Sequence, residues 1–100
     1  MKVERSEETA LMVPESRIDI TNSNELKQTF LELFDEGYST FVIDFGQVDG
    51  IDSSGLGKLL LFQKKLKERS GELKIINISS EYVKKMFAMI HLNKVITIED

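Results

Sequence analysis

One hundred residues with 41% hydrophobic content fit a single domain, residues 1–100, with one core and no room for a second. A net charge of -4, from 17 acidic against 13 basic side chains, gives a mixed surface and argues against wrapping duplex nucleic acid or lying on an anionic membrane. Cysteine is absent, which excludes disulfides, thiolate metal sites and cysteine nucleophiles together.

The start of the chain, Met1 to Glu8, is too charged to hold the apolar core of a signal peptide. The longest apolar run, Met86 to Ile90, is far short of the roughly 20 residues that span a bilayer, so a soluble, cytoplasmic chain is expected. Val3 and Arg5 start a short edge strand, and a turn falls near Ser6 to Glu8. A second strand runs through Ala10-Leu11-Met12-Val13, with Pro14 at its end because proline cannot donate to a ladder. Ile18 and Ile20 flank Asp19 in a short continuation. Asn22, Ser23 and Asn24 then offer N-caps for a first helix whose inward residues are Leu26, Phe30, Leu33 and Phe34. Gly37 falls where a left-handed residue stops it.

Tyr38 to Phe45 reads as a third strand, and its continuous apolar centre suggests burial on both faces. A second helix occupies Ser54 to Arg69 and ends at Ser70-Gly71. Leu73 to Ile78 is a fourth strand, Ser79 and Ser80 cap a third helix from Glu81 to about Ile90, and Val95 to Ile98 is a last strand before the acidic end Glu99-Asp100. The order β-β-α-β-α-β-α-β predicts an α/β domain: a mixed, mostly parallel sheet of four to five strands with three helices and right-handed crossovers.

The segment with the marks of a chemical site is Val48 to Lys58, a strand-to-helix junction carrying Ser53, Ser54, Gly55 and Gly57. Free N–H groups and the positive end of the helix dipole converge there, a field that favours phosphate. On the helical wheel, Leu56, Leu59, Leu60, Gln63 and Leu66 face inward with Phe62 at the margin. Ser54, Lys58, Leu61 and Lys65 fall on the opposite face. Leu61 is then an apolar side chain pointing away from the core, and Ser54, Gly57, Lys58 and Leu61 compose a docking stripe for a protein partner. Each glycine costs about 1 kcal/mol relative to alanine within a helix, a loss explained either by tight packing against the sheet or by close approach of a partner.

Other chemistries fit less well. Leu56 stands where a Walker A loop needs lysine, and Leu60 replaces the last glycine of G-x-G-x-x-G. A hydrolase triad would take Ser54 as nucleophile, His91 as base and Asp44, Asp49 or Asp52 as orienter. The G-x-S-x-G elbow is missing, however, and the single histidine reads better as a turn residue in a left-handed conformation. Asp49 and Asp52 lack further metal ligands at suitable spacing, and Asp52 reads as the cap of the second helix. The run Lys64-Lys65-Lys67-Arg69 complements the helix's negative pole and lacks the interleaved aromatics of a nucleic-acid surface.

The strand Phe41-Val42-Ile43-Asp44-Phe45 followed by Ile51-Asp52-Ser53-Ser54-Gly55-Leu56-Gly57 resembles the STAS domain of bacterial anti-sigma factor antagonists, which carries a D-S-S-G-L-G motif at the start of its second helix. The later segment Phe87-Ala88-Met89-Ile90-His91-Leu92 is similar to that family's F-x-x-x-G-L turn. The resemblance implies a single STAS domain that works as a substrate and not as an enzyme, without metal or other cofactor. Unphosphorylated, it would bind an anti-sigma factor, usually also a serine kinase, and so free a sigma factor. That kinase would phosphorylate Ser54, with Ser53 the lesser candidate, and a PPM-type phosphatase would reverse it. Asp19, Asp49, Asp52, Ser53, Gly55, Gly57, Lys58 and Leu61 are the partner-binding residues on this reading. Alternatives are a STAS module of a stress-signalling or lipid-transport complex, and a small serine hydrolase; the oligomeric state is left open. Departures from the family pattern are Ser16 and His91, each where glycine is usual, and an end at Asp100 where many relatives continue into a fourth helix.

Overall fold

The computed structural model describes residues 1–99. The elements are β1 (Lys2–Arg5), β2 (Thr9–Val13), β3 (Ser16–Ile18), α1 (Ser23–Asp35), β4 (Thr40–Asp44), β5 (Val48–Ile51), α2 (Ser53–Lys67), β6 (Glu72–Ile76), α3 (Glu81–Met89), a 3-10 turn at Leu92–Lys94 and β7 (Thr97–Glu99). The main sheet has five strands in the order β1-β2-β4-β6-β7. β1 is antiparallel to β2, and the remaining pairs are parallel. This is the mixed, mostly parallel α/β domain with three helices that the pattern predicts.

The sequence pattern passes over a second, two-stranded parallel ladder of β3 and β5. Ile18 does not continue β2. It belongs to β3, and Ile20 lies beyond that strand in a turn. The last strand also begins later than Val95, because the 3-10 turn carries the chain through Leu92 and the Val95 and Ile96 N–H groups both donate to Leu92 O at 2.9 Å. The acidic end is described as far as Glu99; Asp100 lies outside the described residues.

Burial along β4 and into the next residue alternates, with Phe41, Ile43 and Phe45 fully buried and Val42 and Asp44 half-buried between them. The expectation of burial on both faces is therefore corrected. From β2 the sheet grows in one direction, β2 to β4 to β6 to β7, and right-handed crossovers in a single direction put every helix on the same face. Phe30 of α1 and Phe62 of α2 meet there, with ring centroids 4.1 Å apart, and Phe30 also lies 4.6 Å from Phe41. Such pairs add roughly 0.5–1.5 kcal/mol each beyond the area they bury.

Phe34, expected inside, is half-buried at the edge of this cluster, where the Arg69 guanidinium lies 3.3 Å from its ring centroid. α1 ends as predicted. Gly37 takes φ +105, and the N–H groups of Gly37 and Tyr38 donate to the carbonyls of Phe34 and Leu33.

Both departures from glycine keep the backbone that glycine favours: Ser16 has φ 58 and His91 φ 55. His91 follows the C-cap of α3, and its side chain is exposed. A left-handed L-residue costs roughly 1–2 kcal/mol, so His91→Gly is expected to stabilise the domain by about 1 kcal/mol, read as a higher urea midpoint. An unmoved midpoint would contradict this.

Candidate functional site

β5 ends at Ile51, and Asp52 turns the chain into α2 with extended backbone angles, the conformation of an N-cap. Its N–H donates to Ile18 O at 3.1 Å, which fixes the start of α2 against the end of β3. The Asp52 carboxylate does the rest. Oδ1 accepts the N–H groups of Ser54 at 3.0 Å and Gly55 at 3.1 Å, together with the Ser54 hydroxyl at 2.6 Å. Oδ2 accepts the N–H of Ile20, from the turn between β3 and α1, at 3.2 Å.

That turn has a carboxylate of its own. Asp19 Oδ1 accepts the N–H of Thr21 at 2.9 Å and the Thr21 hydroxyl, while Arg17 Nε lies 3.7 Å from Asp19 Oδ2. Asn22, one of the expected helix caps, stands at the cap position of α1 without capping it. Its Oδ1 accepts the Asp19 N–H at 2.9 Å, and its Nδ2 donates to Arg17 O at 2.6 Å.

Both aspartates lie below the ordinary value of 3.8, Asp52 chiefly through the Ser54 hydroxyl and then the Gly55 N–H, Asp19 through the hydroxyl and N–H of Thr21. A depressed carboxyl contributes stability above its unfolded value and loses it as pH falls through the folded one. Stability is thus expected to hold at neutral pH and to decline below about pH 4. Asp52→Asn, which preserves a good N-cap, is expected to flatten part of that decline in urea unfolding followed against pH. An identical acid profile for the variant would contradict it.

The two glycines separate cleanly. A Cβ on Gly55 would stand 2.7 Å from Ile51 Cγ1 and 2.8 Å from Ile18 Cγ2, so the β3–β5 ladder requires glycine there. A Cβ on Gly57 would meet nothing within 4 Å, and this residue is exposed. The inward stripe of α2 is Gly55, Leu59, Phe62 and Leu66, which corrects the expected face. Leu60, expected inside, is 45% exposed, and Leu61, expected outside, is half-buried against the core. Stacking of Phe62 on Phe30 sets the rotation of the helix. Lys58 is half-buried, and Ser53 is exposed at the first helical position.

Asp49 is exposed on β5. Among the described residues its carboxylate makes no hydrogen bond to the motif, and Asp19 rather than Asp49 shares the neighbourhood of Asp52. The Ser54 hydroxyl donates to Asp52 and not to an imidazole, and no hydrogen bond among the described residues joins His91 to Ser54, Asp44, Asp49 or Asp52. No group of three or more metal-ligating side chains occurs among them, and no described helix is long and apolar enough to cross a membrane. Ile20 was missed by the sequence reading, which placed it in a strand. The Asp19-Ile20-Thr21-Asn22 run carries the signal that finds it, since Asp and Asn two or three residues apart favour self-bonded turns.

The STAS domain family model matches residues 1–100. A candidate anti-sigma factor antagonist of Thermotoga neapolitana, a homologue of TM1081, is 23% identical over 95 residues, covering 94% of this chain and 83% of the relative. The crystal structure of TM1081 from Thermotoga maritima, also a candidate anti-sigma factor antagonist, superposes with a TM-score of 0.91 at 21% identity, covering 99% of this chain and 85% of that one. The anti-sigma factor antagonist SpoIIAA superposes in its unphosphorylated form with a TM-score of 0.78 at 20% identity, covering 99% of this chain and 86% of that one. Its phosphorylated form, from Bacillus, gives 0.76 at 20% identity, covering 99% and 90%.

Proposed function

The chain belongs to the STAS-domain family, and from that premise we propose that it is an anti-sigma factor antagonist switched by phosphorylation of Ser54. Unphosphorylated, it binds an anti-sigma factor that is also a serine kinase, and the sigma factor is released. The kinase transfers the γ-phosphoryl group of ATP to Ser54 Oγ, the hydroxyl proton leaves and ADP departs. A PPM-type phosphatase hydrolyses the ester with water and restores the binding form.

The observation that carries this reading is Gly57. One turn of helix beyond Ser54, it is exposed with open space where a side chain would stand, so packing gives no reason for a residue that costs about 1 kcal/mol in a helix. A partner's backbone pressed against α2 gives one. Ser54, Lys58 and half-buried Leu61 share that side of the helix, and the turn bearing Asp19 adjoins it through Asp52. The likeness to SpoIIAA in both its unphosphorylated and phosphorylated forms supports a switch that leaves the fold intact.

Phosphoserine at this position adds about -1.5 to -2 charges beside the ionised Asp52 and against the docking side of α2. The helix N-terminus tolerates that charge, whereas a docked partner does not. Incubation with ATP and the cognate kinase, followed by mass mapping, is expected to place one phosphate on Ser54. Modification of Ser53 alone would move the site, and an unmodified chain would reject the switch.

A further inference from the structure

Ile20 is 75% exposed, as is Met89 at 79%, but the Ile20 backbone is tied to the carboxylate that caps α2. Its N–H is held by Asp52 Oδ2 at 3.2 Å, and the other oxygen of that carboxylate takes the Ser54 hydroxyl at 2.6 Å. The turn around Ile20 keeps its own shape through the Asp19–Thr21 and Asn22–Arg17 bonds, so it can shift as a body. Asp52 is the side chain that ties its tip to α2.

Resting on the phosphorylation reading above, we propose that Asp52 is a positioning residue that couples Ser54 to Ile20, with Ile20 an apolar anchor for the same anti-sigma partner. While Ser54 is a free hydroxyl, it joins the N–H groups of Ser54 and Gly55 in holding the carboxylate where it seats the Ile20 N–H, and those two backbone donors suffice when no charge opposes them. In the phosphoester the O–H is replaced by O–P, so that donor is gone. The phosphate dianion then repels the carboxylate, Asp52 turns from Oδ2–Ile20 contact, and the turn presenting Ile20 is released. Phosphorylation thus removes an apolar contact at a distance as well as placing charge on α2. Asp19, itself ionised beside Asp52, adds to the repulsion on that side, while Arg17 is the cation closest to the turn.

The test uses the full chain with phosphoserine installed at position 54 during synthesis, so it stands apart from whether any kinase acts on Ser54. In the unmodified protein the Ile20 amide proton is expected to resonate downfield and to shift with the acid titration of Asp52. In the phosphoprotein it moves upfield, loses that titration, and exchanges with solvent roughly fivefold faster, while the Leu59 and Phe62 amides in α2 are unchanged. An Ile20 amide with the same shift and exchange in both forms would overturn the coupling. Ile20→Ser, at a side chain mostly in solvent, is expected to fold normally and to bind the cognate anti-sigma factor about tenfold more weakly; parental affinity would overturn the anchor.

Discussion

Ser54→Asp is expected to bind the cognate anti-sigma factor about a hundredfold more weakly than Ser54→Ala, because like charge brought into an interface costs several kcal/mol. The alanine variant loses the hydroxyl bond to Asp52, but the cap survives, since the N–H groups at positions 54 and 55 still donate to Oδ1. Asp52 is ionised at neutral pH, held so by its donors, and the introduced carboxylate therefore faces a fixed negative charge. Both variants should fold, because Ser54 is only half-buried and the first turn of a helix accepts alanine and favours a carboxylate. Isothermal titration against the purified partner gives the comparison, with equal affinities for the two variants as the outcome that removes Ser54 from the switch.

The second large effect is on stability. Gly55→Ala is expected to destabilise the domain by about 2–3 kcal/mol, the upper range for overpacking a well-filled core. Its Cβ would meet two isoleucine side chains below 3.0 Å and the Ile18 carbonyl at 3.1 Å. Side chains alone cannot make room, because the Ile18 carbonyl already accepts the Asp52 N–H and moving it would shift the helix start. The same substitution at Gly57 has the opposite sign, a gain of about 1 kcal/mol, since the site is open and alanine is the better helix former. If the proposed docking is correct, that gain comes with weaker partner binding. Urea unfolding of the two variants tests the pair, and a shared direction of change would contradict the assignment of one glycine to packing and the other to recognition.

The helices, the main strands and the D-S-S-G-L-G junction were legible because their signals are local. Caps such as Asp52 and Ser80, the stop at Gly37, and the left-handed turn at His91 each depend on residues a few positions apart. The phase of α2 was not legible. Leucines at 56, 59, 60, 61 and 66 surround the helix, so no face stands out, and the decision falls to Phe62 meeting Phe30 from an element 32 positions earlier. The β3–β5 ladder was hidden for a related reason. Its strands span three and four residues and include Arg17, Asp49 and Gly50, a composition without strand character of its own. Only the pairing makes them strands. For the candidate site, the serines and glycines were visible in the motif, whereas the junction with the Asp19–Asn22 turn depends on an Asp52 contact across 32 positions.

That short ladder has a consequence for how such a domain diversifies. The Asp19–Ile20 turn leaves directly from β3 and the Asp52–Ser54 cap directly from β5, so both are mounted on one small platform set apart from the five-stranded sheet. On the proposed docking, substitutions on the outer side of that platform redraw what the molecule recognises while the aromatic cluster of α1, α2 and β4 stays as it is. The proposed recognition side and the core are thereby held apart, and Gly55 marks where they meet, since a single added methyl group there would press on Ile18 and Ile51 beneath the cap.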